Sequence, residues 1–312
     1  MIESKEANEK MRIHKILVPW LALLLGWSQL ASAAPVVIEH QQGQLRLDAV
    51  PTRVVTFDLA ALDILDQLGV EVIGLPKDFI PEPLAHYRGD QYAHVGSLFE
   101  PDFEAIAALR PDLIIISGRA APAYRQLSRL APTIDLTQDL NHFMRDMRAH
   151  TRTLARIFDR EEAAEAYLAE LDANLAATRA LGEEAGSALV ILTSGGRVSA
   201  YGTGSRTGWI YDELGLRPAA GHLKQGTHGD PVSFEFIVQT DPDYLFVLDR
   251  DTAIQSGQGS ARALLDNDLI RQTRAWREDR VIYLNPVDWY ILVYGLQATP
   301  RMIEEVRQGL TR

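Results

Sequence analysis

Arg119 and Arg250 each stand just behind an apolar run, and each closes one of two passages that repeat each other. "PDFEAIAALRPDLIIISGR" (101–119) returns as "VSFEFIVQTDPDYLFVLDR" (232–250), with Phe-Glu, Ile, Pro-Asp and Arg all matched at a spacing of 131 residues. A guanidinium is permanently charged and presents a planar fork of donors, so paired arginines at such positions suit an anionic ligand. A third arginine, Arg206, sits in the glycine-rich stretch "YGTGSRTG". That stretch lacks the spacing of a phosphate-binding loop or a dinucleotide fingerprint. It reads as a loop that lets backbone approach a ligand. Each arginine taken alone is as well explained as a solvated surface residue; three in one cleft would make an anion trap.

The elements that must position these arginines follow from the patterning. "RVVTFD" (53–58) reads as a strand and "LAALDILDQLG" (59–69) as a helix closed by glycine; "VEVIGLP" (70–76) reads as a second strand. "DFEAIAALRP" is a short helix, and "DLIIIS" is a strand buried on both faces. Strand–helix alternation with short connections implies parallel sheets. A period of 131 residues is too long for a solenoid and implies two copies of one α/β lobe. A looser echo pairs "ILDQLGV" with "IYDELGL". In parallel sheets, ligands gather beyond the carboxyl ends of the strands, where Arg119 and Arg250 fall.

Between the lobes the chain changes character. "DREEAAEAYLAELDANLAATRAL" (159–181) reads as one helix of about two dozen residues, roughly 35 Å long, with Asp159 as its cap. The expected organisation is an N-terminal α/β lobe over 34–158, a linking helix over 159–184 and a C-terminal α/β lobe over 185–312. The fold class is therefore α/β: two Rossmann-like lobes with parallel-rich sheets, joined by one long helix, with a ligand cleft between them. A helical connection predicts modest closure rather than a wide hinge.

Residues 1–33 read as an export signal, basic at Arg12 and Lys15, apolar from Ile16 to Trp27, and ending in Ala31-Ser32-Ala33. Met11 is an alternative start. The chain has 312 residues, no cysteine and a net charge of −11. This composition excludes a disulfide framework, a thiolate metal site and a cysteine-linked lipid, and it argues against nucleic acid as partner. The expected location is a bacterial periplasm, with the mature protein acting as a monomer.

Enzyme signatures such as H-E-x-x-H or a G-x-S-x-G elbow are absent from the sequence. His228, in "GTHGD", is flanked by a glycine in a turn, and Tyr290, in "DWYILVYG", follows a strand expected over Val281 to Leu284. By themselves these are a loop histidine and an aromatic that could fill a core.

Taken together, "ISGR", "SAYGTGSRTGWIYDELG", "THG", "LDR" and "WY" make the mature chain resemble the periplasmic binding proteins of iron–siderophore and vitamin B12 importers. The likeness is greatest to the branch that takes ferric catecholates. The resemblance implies that Arg119, Arg206 and Arg250 bind the anionic complex, and that His228 and Tyr290 ligate iron. It also implies that Glu104 and Glu235, at matched positions in the two repeats, dock on the two halves of an ABC permease. Otherwise the two glutamates simply favour helix N-termini. No resident cofactor is expected, and iron would arrive as Fe(III) in a siderophore. Fe(III) is a hard ion suited to anionic oxygen, with imidazole acceptable. A tetradentate bis-catecholate leaves two positions open, enough for one histidine and one tyrosine. The alternatives are a carrier of ferric hydroxamate, ferric citrate, haem or cobalamin, or a metal-dependent siderophore hydrolase.

Overall fold

The structure, a computed structural model, describes residues 35–139, 142–224, 226, 228–257 and 259–312; the expected export signal lies outside them. A hairpin of β1 (Val36–His40) and β2 (Gly43–Leu47) opens the chain. The first lobe then runs β3 (Val54–Thr56), α1 (Leu59–Gln67), β4 (Gly74–Leu75), β5 (Ala93–His94), α2 (Phe103–Leu109), β6 (Leu113–Ile116), α3 (Tyr124–Leu127) and β7 (Thr133–Asp135). Its five strands are all parallel, in the order β5-β4-β3-β6-β7. The strand expected over 70–76 shrinks to Gly74–Leu75, because Val70 still belongs to the close of α1, donating its amide to Leu65 O at 2.8 Å.

Two packed helices follow, α4 (Phe143–Ile157) and α5 (Glu161–Glu184), the latter 24 residues long. Asp159 does not cap α5 as the sequence suggested. It lies at φ 53° and closes α4 instead, with the Arg160 amide reaching back to Ala155 O at 2.8 Å, the arrangement of a left-handed helix stop. The α5 N-cap is Arg160, whose side chain makes no capping bond. Its acidic first turn, Glu161 and Glu162, is what suits the helix dipole.

The second lobe contains β8 (Ser187–Ser194), β9 (Arg197–Tyr201), α6 (Trp209–Asp212), β10 (Arg217–Pro218), β11 (Asp230–Val232), α7 (Phe234–Thr240), β12 (Tyr244–Asp249), α8 (Arg250–Ala253), α9 (Ala261–Leu265), α10 (Arg274–Arg277), β13 (Val281–Leu284) and α11 (Ala298–Leu310). The sheet order is β11-β9-β8-β12-β13, with β10 pairing β8; β8, β10, β12 and β13 are parallel, while β9 and β11 run antiparallel to their neighbours.

The repeat in the sequence has a structural cause. Asp112 accepts the Thr52 and Arg53 amides at 2.8 Å each, and so pins the chain entering β3. Asp243, its counterpart, accepts the Ser187 amide at 2.6 Å and pins the start of β8. Both helices before these carboxylates end on a left-handed residue that is not glycine, Arg110 at φ 46° and Asp241 at φ 41°.

The two lobes are not packed as separate bodies. One apolar cluster runs from Leu62 and Leu65 of α1 through Met147 and Leu168 to Phe246 and Met302 of the second lobe. Asp63 of α1 is fully buried, and its Oδ2 accepts the Gln297 amide at 2.7 Å, capping the start of α11 across the lobe boundary.

Candidate ligand-binding cleft

Each arginine of the site is delivered by a different local device. Arg250 is the first residue of α8, directly after β12, and Asp249 fixes that turn by accepting the Thr252 amide at 3.1 Å. Arg119 follows β6 by three residues, in a turn where the Ala120 amide donates to Ser117 O at 2.9 Å. Arg206 hangs from the glycine-rich loop after β9. That loop folds tightly on itself: Ser205 Oγ donates to Gly202 O at 2.6 Å, and a Cβ at Gly208 would lie 2.8 Å from the Gly204 nitrogen. Glycine at 208 is therefore a steric requirement of the turn that holds Arg206.

Tyr290 lies in a π-helical turn, Val287–Ile291, after β13. Its neighbours fix the turn from behind. Asp288 takes a two-pronged ion pair from Arg301 (2.9 and 2.7 Å), and Trp289 Nε1 donates to Glu305 Oε2 at 2.8 Å. The ring is half-buried and faces two of the arginines. Arg250 Nε donates to Tyr290 Oη at 2.8 Å, and the Arg206 guanidinium lies over the ring, 4.4 Å from its centre. Arg250 is also braced by Ser194 at the end of β8, to which Nη1 donates at 3.1 Å. The Tyr290 ring packs against the main apolar cluster while its hydroxyl is engaged by Arg250, so it is more than core filling.

The electrostatics follow from this clamp. Burial would push the Tyr290 phenol up, but the Arg250 hydrogen bond and the charges of Arg206 and Arg250 outweigh it and hold the phenol below its ordinary value. Arg119 joins the same field. Burial lowers its guanidinium, Asp58 opposes that, and the like charge of Arg206 lowers it further. Arg206 Nε is buried and has no hydrogen-bond partner, an unmet donor. Three cations around one acidified phenol form a site that gains from an incoming polyanion.

The structure brings Arg119, Arg206, Arg250 and Tyr290 together. His228 is exposed, two residues before β11, and no hydrogen bond joins it to that group. Its loop is nevertheless tied to the Arg206 loop by a bridge between Ser205 and Gly226, and Gly229 packs on Tyr201 of the cleft wall. Glu104 and Glu235 are exposed in the first turns of α2 and α7.

Sequence reasoning missed the floor of the site. Phe143 of α4 stacks on Trp209 (4.7 Å between ring centres), Trp209 stacks on Trp289 (5.1 Å), and Tyr294 packs on Phe143 at 4.5 Å. This stack crosses from the inter-lobe helices into the second lobe and includes Trp289, the chain neighbour of Tyr290. Tyr294 itself is buried, and its hydroxyl has no partner. Only the clustering of Trp and Tyr in "DWYILVYG" hinted at such a floor.

A two-lobed α/β protein with cations gathered at strand ends in this way is a capture protein by design. The chain belongs to the periplasmic binding protein family, whose profile matches residues 54–287. Among curated relatives, it is 40% identical over 282 residues to the petrobactin-binding protein YclQ of Bacillus subtilis, covering 89% of each chain. It is 36% identical to the ferric-anguibactin-binding protein FatB of Vibrio anguillarum, covering 88% of this chain and 87% of that one. The crystal structure of YclQ superposes with a TM-score of 0.85, covering 89% of this chain and 99% of that chain. The periplasmic catecholate-siderophore binding protein VctP of Vibrio cholerae does so at 0.83, with 35% identity and 88% and 99% coverage. No helix among the described residues is long and apolar enough to cross a membrane.

Proposed function

We propose that this protein captures ferric catecholate siderophores in the periplasm and delivers them to an inner-membrane ABC permease, acting as a monomeric carrier without catalysis. The observation that carries this reading is the Tyr290 phenol, acidified between Arg206 and Arg250. Such a phenol is poised to lose its proton to a hard cation, and the arginines offset the negative charge of the catecholates. The names of the relatives, carriers of petrobactin and anguibactin, agree with this substrate class.

In this reading Arg119, Arg206 and Arg250 hold the anionic complex. Tyr290 and His228 supply the two donors that a tetradentate ligand leaves open. His228 lies on an exposed loop, so it reaches the iron by closing over the bound complex. Iron is cargo, and the protein contributes no resident cofactor. Glu104 and Glu235 dock on the two permease halves, and the export signal is cleaved near Ala33.

The test uses a ferric tetradentate bis-catecholate and a ferric hexadentate tris-catecholate. Quenching of the stacked Trp209 and Trp289 reports binding, and the charge-transfer band reports phenolate ligation. The tetradentate complex is expected to bind tighter, and Tyr290→Phe to remove the band shift. Ligation releases the phenol proton, so affinity for the tetradentate complex should rise with pH until the phenol's own pKa is passed. That increment should vanish in Tyr290→Phe. Equal losses for both complexes, with an unchanged band, would exclude Tyr290 as a ligand.

A further inference from the structure

The tips of the two lobes differ in a way that the repeat makes measurable. In the first lobe, Phe99 is 67% exposed and Phe103 is 36% exposed, an unusual cost for two large aromatics on one tight turn and the helix start that follows it. The turn that carries Phe99 is tightly built. The Ser97 amide donates to Glu100 O at 3.0 Å, and Ser97 Oγ accepts the amides of Phe99 (3.2 Å) and Glu100 (3.0 Å). Gly96, at φ +95°, lets the chain close so far that a Cβ there would lie 2.4 Å from Glu100 O. Asp102 completes the frame: its amide donates to Val95 O at 2.8 Å, and its carboxylate caps α2 by accepting the Glu104 amide at 3.0 Å. The phenyl ring is held out, not left loose.

The second lobe has no such feature. One repeat later, Phe99 is replaced by Asp230, whose carboxylate is used internally, accepting the Lys224 amide at 2.6 Å. Phe103 is matched by Phe234, which packs against the core of its lobe, whereas Phe103 stands clear of the apolar clusters. The acidic residues are shared, Glu104 with Glu235, but Glu100 is matched by Pro231. Glu100 and Glu104 are exposed and make no ion pair among the described residues.

We propose that Phe99 and Phe103, flanked by Glu100 and Glu104, form a docking foot on the first lobe alone. It seats in an apolar hollow bordered by basic side chains on one half of the permease. The second lobe docks through Glu235 without an aromatic anchor. The foot therefore sets which way round the protein sits on a nearly symmetric partner. The inference rests on the permease-docking role of Glu104 proposed above. A second copy of this chain is a poor occupant, because it would bring the same carboxylates against Glu100 and Glu104 in a protein whose net charge is −11.

The experiment replaces the chromosomal gene with Phe99→Asp, Phe99→Ala or Glu104→Arg and follows uptake of radioactive iron, presented as the ferric tetradentate bis-catecholate, by iron-starved cells. Affinity of each purified protein for the same complex is read by tryptophan quenching. Phe99→Asp should lower uptake about tenfold or more and Phe99→Ala somewhat less, with affinity unchanged. Impaired uptake in Glu104→Arg but normal uptake in both Phe99 variants overturns the foot while keeping the docking reading. Normal uptake in all three sinks both. Weakened siderophore affinity in Phe99→Asp would place the effect in the cleft and overturn the proposal. So would a dimer, detected by sedimentation, that Phe99→Asp dissolves while uptake stays normal.

Discussion

The two lobes share one plan and divide the work unequally. Strand, helix and strand correspond from β3, α1 and β4 to β8, α6 and β10, and again from α2 and β6 to α7 and β12. Yet the first lobe contributes Arg119 to the cleft, while the second contributes Arg206, Arg250 and Tyr290. Part of the difference, the presence of Arg206, traces to one insertion. Val54 and Ala188, which pair with the matched residues Leu113 and Tyr244, are 134 residues apart, whereas Ile64 and Ile210 are 146 apart, so the second lobe carries 12 extra residues between its first strand and first helix. Those residues form β9 and the glycine-rich loop of Arg206. The duplicated positions Asp112 and Asp243 serve the scaffold. The added loop and the turn after β13 carry Arg206 and Tyr290, two of the proposed ligand-binding residues. Duplication supplied the frame and the strand-end pair Arg119 and Arg250, and departure from duplication supplied Arg206 and Tyr290.

That contrast can be broken most directly through the arginines. Arg250→Ala should cost about 3 kcal/mol of ferric bis-catecholate affinity, since it removes a charge-assisted contact and also frees the Tyr290 hydroxyl. Arg119→Ala should cost about half as much. Titration by tryptophan quenching decides it, and equal losses would mean that the first lobe carries a full share of the site.

Smaller in effect on binding, but sharper as a test of the repeat, are Asp112→Ala and Asp243→Ala. Each removes a carboxylate that holds the entry to the first strand of its lobe, so each should lower Tm by several degrees, roughly 1–3 kcal/mol, without changing ligand affinity. Asp243 should cost more, because it also pairs with Arg274. A change in affinity with either would contradict the division between scaffold and site.

The smallest effect concerns the seam between the lobes. Burial raises the Asp63 carboxyl to about 7, against the opposing hydrogen bonds from Gln297 and Ala298 and the charge of Arg301. The folded protein therefore binds more protons at this group than the unfolded chain does between about pH 4 and 7, and its contribution to stability falls as pH rises through that window. Asp63→Asn keeps an acceptor for the Gln297 amide and removes the titration. Its Tm should lose this part of the pH dependence and lie slightly above wild type near pH 8. A pH profile identical to wild type would show that Asp63 stays ionised throughout.

Local signals made much of this legible. Arg119 and Arg250 could be placed at strand ends because four to six consecutive apolar residues flanked by breakers announce a buried strand wherever they occur. The long helix was readable from composition and the lack of proline, though its start was not. Asp159 looked like a cap because its residue type favours one, but that type also tolerates the left-handed conformation α4 needed. His228 shows the limit from the other side, since a histidine in a glycine turn carries no local sign of what it will face.

By itself the sequence determined the two-lobe plan, the connecting helix and the identity of the charged residues at the strand ends, because helix and strand periodicity and helix stops act within a few residues. Only the tertiary structure decided that Arg206 would lie over Tyr290, that Phe143, Trp209 and Trp289 would stack on one another, and that Asp63 would cap a helix 234 residues away. These are meetings of distant groups. Their energies depend on burial and on the sum of neighbouring charges, and both quantities exist only once the chain has closed on itself.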